Sequence, residues 1–353
     1  QNVLRKLPFQ YQQKQDAPQF VVIPNSPGEI WQFKEIAGDL MIASSRGLFR
    51  LVDNQTQRIA GSGSDGYAIG SSPRWLDYLF MGKMGGLEIF KRENGQWKLF
   101  SQVPQIHENI RRITADASGD LWLSTEVQGL LRVHFIGDDP SQVSIHRIGI
   151  KHGLPQLIGN RAKFIDDTLF SITSKGLYSA KIAPWSDASD QTKFSPDTRF
   201  GKQFSDGSMN VSDLNSDQHG GYLLQTSEGV QLLEKGHDGT FLNKNQEFRG
   251  LITSDESLYV HPDGSIWLPG ENLYRVQTQA EKDYTQSFSA MIRRVAANTT
   301  ESIFEGSFGK QASSIQDAST VFHLTQTAQD IPQLSYQQNA LMFEFAADFY
   351  EKP

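Results

Sequence analysis

No cysteine occurs among the 353 residues, which excludes disulfides, zinc–thiolate sites and cysteine nucleophiles. The absence leaves the redox compartment open, because cysteine-free chains serve in cytosol and periplasm alike. Positive charge is not in excess either: 33 Lys and Arg stand against 40 Asp and Glu, for a formal net charge of −7 and a pI near 5.6. Neutralising a nucleic-acid backbone needs a clustered surplus of Lys and Arg, so nucleic acid is not an expected partner. No run of about 18 apolar residues is present, and Gln1 to Lys6 lacks the apolar stretch of a signal peptide. A chain that opens at Gln1 and stops at Pro353 in mid-pattern reads as a piece of a longer protein, with any membrane anchor outside it. Helical periodicity is nearly missing as well; only Ser314 to Gln329 carries it, weakly.

What is present points to a folded, soluble chain: 38% hydrophobic and 21% charged residues, with 30 Gly and 14 Pro. It also points to a repeat. A short β-prone run leads through a turn with Asp or Gly into a second run such as Leu-Trp-Leu-Ser-Thr, then Gly, then a third run of alternating apolar residues. The clearest copy is Ile110 to Phe135, with others at Ile30 to Val52, Leu76 to Phe90, Arg161 to Ile182, Val211 to Lys235 and Leu258 to Val276. Second runs starting at Leu40, Leu79, Leu121, Thr168, Tyr222 and Ser265 are 39, 42, 47, 54 and 43 residues apart, near the roughly 40 to 50 residues of a propeller blade.

The physics of the pattern supports that reading. Sheets of strands this short cannot each hide both faces, and a radial arrangement lets neighbours cover one another. Gly47, Gly86, Gly129, Gly176 and Gly229 fall between second and third runs, where a tight turn calls for positive φ. Asp39, Asp77, Asp120, Asp166 and Asp263 recur before the second run, in a structural role as turn carboxylates. Trp122, Trp267, Phe80 and Phe170 hold matching places in that run and are expected to pack between blades.

Asp116-Ala-Ser-Gly119-Asp-Leu-Trp122, Gly129-Leu-Leu-Arg132, Gly47-Leu-Phe-Arg50 and His152-Gly-Leu-Pro155 resemble the two-component regulator propeller repeat over about 250 residues. Ser287 to Val295 and Leu334 to Phe345, with Leu341, Phe343 and Phe345 alternating as a half-buried strand, are similar to the opening strands of the immunoglobulin-like YYY domain that follows such propellers. The expected fold is all-β: a propeller of six to seven four-stranded blades over residues 1–283, then the first strands of a β-sandwich over 284–353. The resemblance implies the extracytoplasmic, periplasmic sensing portion of an inner-membrane sensor kinase or diguanylate cyclase, acting as a homodimer and without catalysis in this portion.

Motifs that carry chemistry are few. H-E-x-x-H, G-x-S-x-G, Walker and dinucleotide motifs are absent. Asp213-x-Asn215-x-Asp217 begins like a calcium loop, but Gln218 stands where Gly is required and Leu224 where the bidentate Glu belongs, so it reads as a blade turn. His107, His152, His219 and His261 lie near turns without metal-ligand spacing. No metal or cofactor is expected. Loops entering each first strand, and those joining second to third strands, gather at one channel mouth. There the sequence places Arg46, Arg74, Trp75, His107, Arg111, Glu126, Arg161 and Glu271, with Lys83, Gln128, Lys175 and Glu228 nearby. Such a rim suits a small molecule or oligosaccharide, held by forked hydrogen bonds and ring stacking. Two alternatives stand beside sensing: a propeller lyase or glycosidase acting on polysaccharide through Glu126, His107 and Arg111, and a protein–protein scaffold.

Overall fold

The computed structural model describes residues 5–6, 21–217, 219–244, 248, 251, 253–254, 258–270, 272–277, 289–298, 300–307, 326–328 and 330–347. The chain forms two compact units, residues 1–279 and 280–353.

In the first unit, β1 (Arg5–Lys6) and β2 (Val21–Val22) make a two-stranded sheet. Six antiparallel meanders follow. Sheet 1 holds β3 (Ile30–Ile36), β4 (Asp39–Ser44), β5 (Gly47–Val52) and β6 (Gln55–Arg58). Sheet 2 holds β7 (Gly66–Ser72), β8 (Trp75–Lys83), β9 (Gly86–Glu93) and β10 (Gln96–Gln102). Sheet 3 holds β11 (Ile110–Ala115), β12 (Leu121–Thr125), β13 (Leu130–Phe135) and β14 (Val143–Ile148). Sheet 4 holds β15 (Arg161–Ile165), β16 (Thr168–Thr173), β17 (Gly176–Ala180) and β18 (Ser195–Pro196). Sheet 5 holds β19 (Val211–Ser216), β20 (Tyr222–Thr226), β21 (Gly229–Lys235) and β22 (Phe241–Asn243). Sheet 6 has three strands among the described residues: β23 (Tyr259–Val260), β24 (Ser265–Leu268) and β25 (Tyr274–Gln277).

First strands neighbour one another in chain order, from β3 through β7, β11, β15 and β19 to β23. This is propeller architecture: first strands inside, later strands outward. Hydrophobic burial sits in the seams, with one apolar cluster between each consecutive pair of sheets. Phe80, Trp122 and Phe170 are fully buried in those seams, each stabilising by about 2–3 kcal/mol through burial. Trp267 is half-buried under Arg275. The expected turn glycines hold positive φ at Gly47, Gly129, Gly176 and Gly229.

Sheet 2 departs from the sequence reading. Its first strand is Gly66–Ser72, and its second starts at Trp75 rather than Leu79. Asp77 therefore lies within a strand, exposed, and not in a turn. Small residues hide this strand from pattern reading, and packing explains them: a Cβ on Gly70 would collide with Ile113 of sheet 3.

In the second unit, β26 (Ala290–Ala297) pairs antiparallel with β27 (Glu301–Phe304) and β28 (Leu341–Ala347). Leu341, Phe343 and Phe345 alternate along β28 as anticipated, but they are its more exposed face, at 41%, 47% and 65%. The weak helical pattern at Ser314 to Gln329 falls largely outside the described residues; 326–328 carry no helix.

Candidate functional site

Neighbouring strands are antiparallel, so first-to-second turns lie at one end of each sheet and second-to-third turns at the other. The second end also receives the connections into each first strand and forms the mouth. There sheet 3 contributes a cavity of about 150 Å³ whose wall includes His107, Glu108, Asn109, Glu126 and Gln128.

Its polar groups are tied together. Asn109 Nδ2 donates to Glu126 Oε2 at 2.8 Å, and Arg111 Nη2 donates to Glu126 Oε1 at 2.9 Å. Asn109 itself is set by the Gly85 amide, which donates to Oδ1 at 2.9 Å. The bonds from Asn109 and then Arg111, with the Arg111 charge, hold the Glu126 carboxyl below its usual range. Glu108 is engaged too: Oε2 accepts from the His107 amide at 3.0 Å, and Oε1 pairs with Arg147 at 2.8 Å. Both carboxylates of the cavity thus have both oxygens occupied. A general acid needs a raised pKa, the opposite of what Glu126 has.

Arg111 also lies over the Tyr67 ring at 3.8 Å, and Tyr67 meets Trp31 edge-on at 5.4 Å between centroids. Trp31, Tyr67 and Arg111 are each the second residue of a first strand, in sheets 1, 2 and 3. They form a ladder across three blades, ending at an exposed Trp31. Sequence reasoning did not pick out Trp31, Tyr67 or Asn109. Their matching place, second in a first strand, was the signal for the two aromatics; for Tyr67 it was hidden because its strand, β7, carries small residues that do not read as a strand.

The structure brings His107, Arg111 and Glu126 together. Arg46 is exposed in the β4–β5 turn at the same end, its carbonyl accepting from Arg58 Nε at 3.1 Å. Arg161 opens β15 at that end too and donates to the Ser212 carbonyl of sheet 5. Glu271 lies outside the described residues. Arg74 and Trp75 do not belong to the mouth. They occupy the first-to-second turn of sheet 2, at the opposite end. Arg74 donates there to the carbonyls of Phe135, at 2.9 Å, and Gly137, while Trp75 packs edge-on against Tyr78 and Phe135. The misplacement follows from the unread β7 strand.

A second cavity, of about 360 Å³, lies between sheets 5 and 6 near their first-to-second turns, with Asp217, His219, Glu234 and Lys235 on its wall. Asp217 there caps its own turn through the amides of His219 and Gly221, each at 2.7 Å. This is the blade-turn role expected of the calcium-like stretch.

No protein-family model matches the chain, and no curated protein does. Among solved structures it is similar to the extracellular domain of BT4673 from B. thetaiotaomicron, described as a one-component system in one structure and as a hybrid two-component system in another. The TM-score is 0.51 in both, at 14% and 13% identity, covering 76% and 83% of this chain. The chain spans 34% and 39% of those domains. It is also similar to streptogramin B lyase, with TM-score 0.50, 12% identity, and coverage of 78% of this chain and 86% of the lyase. Fold likeness of this kind does not assign an activity. The chain has a β-propeller fold similar to that of the extracellular domains of one- and two-component systems.

Proposed function

We propose that this chain is the extracytoplasmic ligand-sensing region of a membrane-bound signal-transduction protein, and that it recognises a small molecule or oligosaccharide at the mouth of its propeller. One observation carries the reading: a preformed constellation in which Trp31, Tyr67 and Arg111 make a stacking surface beside the His107–Asn109–Glu126 cavity. The exposed Trp31 ring, next to fixed hydrogen-bonding groups, suits a sugar ring, whose C–H face stacks while its hydroxyls bond. Arg111 and Glu126 orient each other and are each still more than a third exposed, so a ligand can engage both without rebuilding them. Signalling follows if ligand binds one of two arrangements of a homodimer more tightly. Among the described residues no helix is long and apolar enough to cross a membrane.

Calorimetric titration with a panel of neutral and acidic oligosaccharides tests the proposal. Saturable binding by intact ligand is expected, weakened tenfold or more in Trp31→Ala and Arg111→Ala while the melting temperature changes little. Cleavage of a panel member would replace sensing with the lyase or glycosidase reading, to which the likeness to streptogramin B lyase gives standing.

A further inference from the structure

One place in the blade repeat points into the seam with the next sheet. It lies three residues before the end of each second strand and holds Met41, Phe80, Trp122, Phe170 and Leu223 in sheets 1 to 5. Each of these residues belongs to the apolar cluster shared with the following sheet. Sheets 2, 3 and 4 put a fully buried ring there. Sheet 1 puts Met41 there, and Phe90 and Trp97 of sheet 2 bring rings to the same cluster. Sheet 5 has Leu223, and the rings of its seam, Phe248 and the half-buried Tyr274, do not line the space beside it.

That space is the cavity of about 360 Å³ between sheets 5 and 6. Its floor is made of two cross-strand pairs, Leu223 with Leu232 on sheet 5 and Val260 with Ile266 on sheet 6. Leu223, Leu232 and Ile266 are buried and Val260 is half-buried. Gly221 and Gly264 complete the wall without adding a side chain to fill it. The rim is of the opposite character: Asp217 is half-buried there, and His219, Glu234 and Lys235 are exposed. An apolar cavity of about 150 Å³ lined by Leu, Ile and Phe holds a benzene molecule, so this one has room for a fused pair of rings or a ring with a substituent. A buried apolar floor under a few convergent polar groups is the usual form of a small-molecule site. Between two facing sheets, a flat ring touches both at once.

We infer that this seam cavity binds a small aromatic molecule with a polar substituent, its ring on the floor of Leu223, Leu232, Val260 and Ile266 and its substituent among the charged groups of the rim. The ring takes the place that Phe80, Trp122 and Phe170 fill from within the chain in the other seams. The site lies at the first-to-second-turn end of sheets 5 and 6, the end opposite the mouth, and the proposal does not depend on the sensing role.

The full chain, with its methyl groups labelled for NMR, is titrated with indole, with phenol, and with cyclohexanol as the saturated counterpart of phenol. Saturable binding of indole or phenol is expected, tighter than that of cyclohexanol, with nuclear Overhauser contacts from the ring protons to the methyls of Leu223, Leu232 and Ile266. Leu223→Trp, which gives sheet 5 the ring that sheet 3 has in Trp122, should weaken binding tenfold or more without lowering the melting temperature, as filling a cavity does. The methyl contacts are read in the wild-type chain and decide the matter independently of how that variant folds. Absence of binding by both aromatic probes up to about 10 mM, near the weak limit of specific affinity, overturns the proposal. So do contacts to Trp31 at the mouth in place of the floor methyls, cyclohexanol binding as tightly as phenol, or binding that a folded Leu223→Trp chain retains.

Discussion

Arg132 shows how much a single side chain is asked to do in this fold. It is buried between Trp122 and Trp185, and it pairs with Asp120 and Asp190 at 3.0 Å each. Asp120 also bonds His134 at 2.8 Å, and His134 stacks on Trp185 at 4.5 Å. Arg132→Met would leave two buried carboxylates without their cation, and a loss of about 3–5 kcal/mol in chemical denaturation is expected. The pH dependence has a definite sign. Burial alone would raise the Asp190 pKa, but bonds from Thr192 and Arg132 outweigh it and hold the group below its ordinary 3.8. Its stabilisation is present above that value and is lost as pH falls through the lower folded value; in Arg132→Met the acid loss should begin at higher pH. Tyr222 behaves in the opposite sense. Burial, then its bond to Asp166 at 2.8 Å, raise the phenol from 10.0 to about 12. Stability from this group is complete below pH 10.0 and is lost as pH climbs toward about 12. An ultraviolet titration should show a late-titrating component that is missing in Tyr222→Phe. Of these residues, Arg132 and the turn carboxylate Asp120 were legible in the repeat, because both recur by position. Asp190 and Trp185 were not, since they come from a long connection with no counterpart in the other copies.

At the scale of elements, backbone approach decides several boundaries. His152-Gly-Leu-Pro155 begins at the end of a turn of 3₁₀-helix, Ile150–His152, which Gly153 caps at φ +88°. A Cβ at Gly153 would strike the Phe194 carbonyl oxygen, whereas Gly95, at φ +73°, faces open space. Gly153→Ala should therefore cost at least about 2 kcal/mol, and Gly95→Ala only about 1 kcal/mol, by chemical denaturation. The comparison separates steric collision from left-handed strain. Sheet 2 teaches the same point from the other side. Gly66-Tyr-Ala-Ile-Gly-Ser-Ser72 has little strand propensity, yet it is an inner strand because only small residues admit Ile113 and its neighbours from sheet 3. Its Tyr67, which carries the stacking surface under Arg111, went unread with it.

For the molecule as a whole, stability is distributed over seams rather than sheets. Phe170 belongs to a cluster drawn from both sheet 4 and sheet 5, so Phe170→Ala should cost about 3–5 kcal/mol. Native-state hydrogen exchange should accelerate in β16 and β20 together; acceleration confined to β16 would contradict a shared seam. The sequence alone determined the all-β class and the blade repeat, because strand period, turn glycines and blade spacing are local and recur. It also brought His107, Arg111 and Glu126 into view, since they sit beside well-marked strands. Only the tertiary structure decided that Arg74 and Trp75 lie at the far end and that Trp31 and Tyr67 extend the mouth. Those relations join residues from different blades, and their distances are set by how sheets pack around an axis, which no local pattern records.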